Sequence, residues 1–250
     1  MEGMDYFYEL FCSLPRGGPG DNNSTRKAFR YLKNLPSEPL LLDIGCGHGV
    51  QTLELARNTK GTIIALDTYQ PFLDILKQNA TKEELGARVI PKNQSMLEMD
   101  FADETFDIIW SEGALYFMGF QNGLKRCHQL LKKNGYLGVT EAVYLKSTIP
   151  VSLKEFWDEE YPDIKDINSN ISLIQNEGFE LLGHFTLPTS SWTDEFYSPM
   201  KTQINRLKKK YHDNTTALQV FDECEKEIKI YDTYSDYFGY EFFIAQKRNE

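Results

Sequence analysis

The chain has little of what would mark several large protein classes. Four cysteines, Cys12, Cys46, Cys127 and Cys224, are scattered through 250 residues without paired spacing, which argues against a disulfide scaffold or a cysteine-rich metal or arsenic site and favours reduced thiols. The formal charge is -10, so no basic excess is available to meet a phosphate backbone, and nucleic acid is not expected as a partner. The one obvious basic run, Arg206-Leu207-Lys208-Lys209-Lys210, reads as a solvated helix face. Long apolar runs are missing, as is an apolar segment behind a basic amino terminus. Neither a membrane span nor a signal peptide is therefore expected, and the expected compartment is cytoplasmic. No internal repeat or low-complexity tract stands out.

Against that background, Leu40 to Gly49 is the most informative stretch. The apolar run Leu40-Leu41-Leu42-Asp43-Ile44 reads as a buried parallel strand, and a helix is expected from Val50 to Arg57. Between them, Gly45, Gly47 and Gly49 suggest a tight turn that a ligand approaches at backbone distance. The dinucleotide fingerprint would need its third glycine where this chain has Val50. Asp43 would sit badly beside a pyrophosphate and suits a ligand with an amino group.

Asp43-Ile44-Gly45-Cys46-Gly47-His48-Gly49 resembles the first motif of the class I S-adenosylmethionine (SAM) dependent methyltransferases. The resemblance implies that the loop backbone at Gly45, Cys46, Gly47 and Gly49 contacts the methionine part of SAM, with Asp43 holding its amino group. Thr62 to Asp67 matches the second strand, and the resemblance places Asp67, with Thr68 beside it, at the ribose hydroxyls; a carboxylate suits two hydroxyl donors. Asn93 to Leu97 falls at the adenine loop, where Ser95 stands in place of the family's usual aspartate and leaves Ser95 and Met96 to meet the base. Thr105 to Gly113 resembles the fourth strand, bringing Ser111 and Glu112 to its carboxyl end, which faces the ligand crevice in open α/β sheets.

The expected architecture is one α/β domain, a Rossmann-like class I methyltransferase fold with a seven-stranded, mostly parallel sheet flanked by helices. It divides into an N-terminal helical cap (1–36), a SAM-binding core (37–144) and a substrate-side lid, helical insertion and final strands (145–250). The cap holds a helix from Tyr6 to Leu14, the breaker run Pro15 to Asp21 as a lid hinge or plain loop, and a second helix running toward Leu35 that Ser24 could cap. Core helices are expected near Pro71 to Ala80 and Gly119 to Leu131, and a fifth strand from Tyr136 to Val143. Leu145 to Asp166, with its aromatic and acidic centre Phe156 to Pro162, is a candidate substrate lid. A helix over Ile167 to Glu177, a strand over Phe179 to Leu187, inserted helices over Pro188 to Asp236 and a last strand over Tyr237 to Gln246 complete the chain. The resemblance implies the strand order 3-2-1-4-5-7-6, with the last strand antiparallel.

A sulfonium methyl is already activated, so alignment of the acceptor and exclusion of water matter more than any obligatory side chain. Glu112 is the leading polar candidate, as base or acceptor orienter, against the alternative of a surface carboxylate at a helix start. Tyr116, a turn later, is placed on the same pocket wall, with core packing as the alternative. Trp157, Trp192 and Tyr197 could wall the acceptor or form a satellite core. His48, His128, His184 and His212 carry weaker signals, and Asp107 reads as structural. Segments including Trp110 to Tyr116, Phe156-Trp157, Tyr161-Pro162 and Ser191 to Thr193 resemble bacterial and archaeal methyltransferases related to the quinone-biosynthesis type. The expected activity is methyl transfer from SAM to a small molecule, leaving S-adenosylhomocysteine (SAH), without a metal; a homodimer is compatible with the sequence. A noncatalytic SAM-binding sensor or interaction subunit and a nicotinamide oxidoreductase are the rival readings. The Asn/Asp-Pro-Pro-aromatic run of nucleobase amine methylation is absent after strand four, where Ser111-Glu112-Gly113-Ala114 stands instead.

Overall fold

The computed structural model describes residues 3–248; residues 1, 2, 249 and 250 of the expected cap and substrate-side unit lie outside the described residues. Five strands, β1 (Leu40–Ile44), β2 (Thr62–Asp67), β3 (Val89–Asn93), β4 (Phe106–Glu112) and β5 (Leu131–Tyr144), alternate with α3 (Val50–Asn58), α4 (Gln70–Lys82) and α5 (Phe120–Leu130). A two-residue strand β6 (Lys165–Asp166), helix α7 (Ile167–Asn176) and strands β7 (Phe179–Thr186) and β8 (Phe238–Lys247) complete the sheet. Its order is β3-β2-β1-β4-β5-β8-β7, with β6 paired to β5 off that path; β8 runs antiparallel to both β5 and β7. This is the topology that the resemblance implied.

Strand periodicity of two explains the layering. Leu41 and Ile108 join a core on one face of the sheet with residues of α2 (Asn22–Phe29) and α3, whereas Leu42 and Ile109 join the core on the other with α5. Trp110 is fully buried, and Gly138 on the neighbouring strand makes room for it: a Cβ there would lie 2.4 Å from its ring. A side chain at Gly138 would push the indole off its shelf.

A third apolar cluster lies outside these two layers. It joins the amino-terminal helix α1 (Met4–Cys12) to α6 (Val151–Glu160), α8 (Thr189–Trp192), α9 (Ser198–Lys210) and α10 (Thr215–Tyr234). The expected lid segment is thus partly the regular helix α6. Residues Thr193–Tyr197, between α8 and α9, form a π-helical turn. The basic run on α9 is not simply solvated, because Lys208 pairs with Asp222 and Glu225 of α10 and Lys210 with Glu9 of α1.

Two boundaries differ from expectation. Helix α2 (Asn22–Phe29) is capped by Asp21, not Ser24: Asp21 has extended backbone and its side chain accepts from the Ser24 amide at 2.8 Å. An acid at that position satisfies an orphan amide and faces the positive helix end. Strand β5 begins at Leu131 rather than Tyr136, because Phe106 already pairs with Leu131 before the register shifts; the polar stretch Lys132 to Asn134 hides the strand from a hydrophobicity reading. No helix among the described residues is long and apolar enough to cross a membrane.

Candidate active site

The carboxyl ends of β1, β2 and β4 meet where the chain turns at Gly45 to Gly49. All three loop glycines have positive φ, +71, +52 and +81. The loop is pinned from several sides. The Cys46 amide donates to Leu66 O at 2.8 Å, the Gln51 amide group donates to Cys46 O at 3.1 Å, and the Gly47 amide donates to Asp67 Oδ2 at 2.9 Å. The Tyr69 amide donates to the other Asp67 oxygen at 2.9 Å, so Asp67 organises the loop while standing at the end of β2. Cys46 is buried, which pushes its thiol well above the usual range; a small packed side chain is its part.

Asp43 is the most unusual group in the chain. Its side chain is fully buried at the end of β1; Oδ2 accepts from Thr52 Oγ1 at 2.5 Å, and Oδ1 has no partner. Burial raises its pKa to about 7, opposed by Thr52 and reinforced by the nearby carboxylates of Glu112 and Asp67. A buried carboxylate with an open oxygen is costly unless a cation arrives. Thr52 was not singled out from the sequence, although it lies on the first turns of the helix that follows the glycines.

Ser95 caps the short 3-10 turn Met96–Glu98. Met96 reaches over the loop, its Cε 3.5 Å from where a Gly45 Cβ would stand. Thr68 follows directly on β2. Ser111 is buried, its hydroxyl donating to Ile44 O at 3.0 Å, which ties β4 to the end of β1.

Glu112 is neither a surface carboxylate nor a free one. It accepts from Thr25 Oγ1 at 2.7 Å and Trp110 Nε1 at 2.9 Å, and pairs with Arg16 at 3.3 Å, both partners of the ion pair being almost fully buried. Arg16 comes from the breaker run, which continues through Gly20 and Asp21 to bonds with Ser191. The carboxylate therefore fastens the amino-terminal strap across the end of β4. His48 lies under this strap with Nε2 unpartnered, and burial with the nearby Arg16 charge lowers its pKa to about 4.

Tyr116 is not on the wall that Glu112 faces. It lines a separate cavity of about 450 Å³ with Tyr161, Trp157, Trp192, Tyr197 and Glu227. Sequence spacing suggested one wall for both residues; the turn at Gly113, with φ +66, sends Tyr116 the other way. Helix α1 bridges the two regions: Tyr8 stacks on Tyr69 at 3.7 Å beyond β2, while Phe7 lines the aromatic cavity. Glu227 was missed, since it is one of several acids on an otherwise ordinary amphipathic helix.

The remaining polar candidates have structural partners. Asp107 accepts from the Leu40 amide and Lys132 at the opposite end of the sheet. His184 pairs with Glu241, and His128 packs edge-on against Phe179. Among the described residues, no three His, Cys, Asp or Glu side chains converge as a metal site.

Residues 41–135 match the family described as Methyltransferase domain, a span that runs from β1 into β5. Over its whole length the chain is similar to the uncharacterized methyltransferase YodH of Bacillus subtilis (strain 168), 25% identical over 248 residues, covering 98% of this chain and 100% of that protein. A demethylmenaquinone methyltransferase of Lactobacillus johnsonii is 27% identical over 125 residues, covering 49% of this chain and 51% of that protein. The fold is similar to that of a SAM-dependent methyltransferase from Geobacter sulfurreducens solved in complex with SAH, at a TM-score of 0.85 and 16% identity over 98% of each chain. Residues 41–135 thus resemble a methyltransferase domain, and the glycine loop after β1, the acid ending β2 and the strand order give the chain the fold of the SAM-dependent methyltransferases it is similar to.

Proposed function

We propose that the loop at Gly45 to Gly49 holds SAM and that the chain delivers its methyl group to a small-molecule acceptor. The observation that carries this reading is the open, fully buried oxygen of Asp43 directly ahead of the loop. The ammonium of the methionine moiety is the cation that this carboxylate lacks. Asp67, with Thr68, takes the ribose hydroxyls; Ser95 and Met96 border the adenine; Ser111 keeps the end of β4 against β1. The bound sulfonium supplies an activated methyl group. The chain's own task is to exclude water and orient the acceptor. Glu112 is best read as a positioning residue that closes the Arg16 strap, and Tyr116 as part of the acceptor wall. The division into cap, core and substrate-side unit belongs to the same proposal, supported by the separate apolar cluster that α1 shares with α6 and α8 to α10. Calorimetric titration of the ligand-free protein with SAM, SAH and NADH tests the reading: saturable SAM or SAH binding without NADH supports it, and NADH binding alone overturns it.

The raised pKa of Asp43 sets a pH dependence. Between its ordinary value of 3.8 and about 7, the unfolded chain is ionised at this residue while the folded, ligand-free chain keeps the proton. Its contribution to stability therefore falls as pH rises through that window and is constant above it. Cofactor binding runs the other way, because the ammonium pairs with the ionised form. SAH affinity is expected to be about tenfold higher near pH 8 than near pH 6, measured by titration, and Asp43→Asn should flatten that profile.

Glu112→Gln removes the charge that Arg16 faces. Hydrogen bonds to charged groups contribute about 1.5 to 3 kcal/mol, so tryptic cleavage after Arg16, buried in the native strap, should accelerate by at least about tenfold. SAH affinity should change little and turnover should slow. Unchanged cleavage would show that the strap is held without Glu112.

A further inference from the structure

We propose that the aromatic cavity beside the glycine loop binds an organic ammonium ion and that this amine is the methyl acceptor; the second half rests on the cofactor reading above, the first does not. The cavity stands at the carboxyl ends of β4 and β5. Its Tyr240 hydroxyl reaches to 3.2 Å from where a Gly113 Cβ would stand, and Ala142 contributes from β5. That is the same end of the sheet as the glycine loop, since Asp43 and Trp110 are register partners on β1 and β4.

Its walls are aromatic for a structural reason. In a π-helical turn, residues five apart are brought together, and the turn Thr193–Tyr197 places Trp192 and Tyr197 against each other at a centroid distance of 5.9 Å. Trp192 also packs against Tyr240 at 4.8 Å, so three rings from three elements, α8, the π-helical turn and β8, share one corner. Ring faces attract cations, most strongly where water is excluded.

The charges point the same way. Glu160, Glu223 and Glu227 line the cavity, against Lys226 as the one cation among the described residues of its lining. Glu227 accepts from Tyr197 Oη at 2.7 Å, and burial raises its pKa. Glu141, itself 2% exposed, faces the wall residue Tyr161, and burial raises its pKa. A neutral, wholly apolar acceptor would bury these carboxylates without compensation, and a phosphorylated one would be repelled by them. The indole N–H of Trp157 is buried without an acceptor, a donor that a hydroxyl or carbonyl elsewhere on the amine would satisfy.

An ammonium N–H proton passes to the Glu227 carboxylate, and the freed lone pair forms the N–CH3 bond as the CH3–S bond breaks and leaves its electrons on sulfur. The carboxyl group then releases the proton to water.

The probe is choline, compared with its neutral isostere 3,3-dimethyl-1-butanol, followed by tryptophan fluorescence of the full chain with and without SAH. Choline is expected to bind at least about tenfold more tightly than the isostere. Glu227→Gln should reduce choline affinity by about tenfold and leave SAH affinity unchanged. Equal affinity for choline and isostere in the unmodified protein overturns the cage, whatever the variant does. Choline selectivity without SAH binding keeps the cage and overturns its link to methyl transfer. In a labelled-methyl assay, transfer to primary and secondary amines but not to matched alcohols supports the acceptor assignment; transfer to the alcohols alone overturns it.

Discussion

Replacing Asp43 by asparagine should weaken SAM and SAH binding by roughly 30- to 4,000-fold, read by calorimetry at about pH 8. Leaving one member of a buried charge pair without its partner costs about 2 to 5 kcal/mol, at about 1.4 kcal/mol per tenfold in affinity. Asparagine keeps the volume of the side chain and an oxygen for the Thr52 hydroxyl, so packing is preserved while the charge is lost. The ligand-free variant should be at least as stable as the parent above pH 7, because it no longer carries an ionised, desolvated carboxylate. A folded Asp43→Asn variant that binds SAH as tightly as the parent would remove Asp43 from the cofactor site.

The second large effect is expected at Gly45. Its φ is +71, and a Cβ there would lie 2.3 Å from the Ala114 Cβ at the turn after β4. Left-handed backbone costs a non-glycine residue about 1 to 2 kcal/mol, and overpacking typically adds about 1 to 3 kcal/mol. Gly45→Ala should therefore lower unfolding stability by about 2 to 5 kcal/mol and displace the loop enough to abolish measurable SAH binding. Gly47 is the control: its φ is +52, but an added Cβ meets nothing within 4 Å. Gly47→Ala should lose only the backbone contribution, about 1 to 2 kcal/mol. Equal losses for the two variants in urea unfolding would refute the steric argument.

Glu112 illustrates how a site can be located by sequence and yet have its role decided elsewhere. Its position at the end of β4 is local information, carried by an apolar run that stops at a polar turn. Its partners are not: Arg16 and Thr25 lie 96 and 87 residues away, in a segment whose prolines and glycines advertise only irregularity. The same holds for Asp21, where both an aspartate and a serine could have capped α2. Asp21 has the extended backbone of the capping position, and its second oxygen also receives Ser191 from the insertion.

By itself the sequence determined the strands β1, β2 and β4, the glycine turn and the acids that end the first two strands. Each of these depends on residues within a few positions of one another: alternation or continuity of apolar side chains, and glycine where φ must be positive. The sheet order came through the family resemblance of those same local motifs. Only the tertiary structure decided that Asp43 has an open oxygen, that Glu112 fastens a strap, and that Tyr116 faces an aromatic, acid-lined cavity. Burial and charge pairing arise where distant segments meet, and the 3.6-residue and two-residue periods of helices and strands carry no record of which segments those will be.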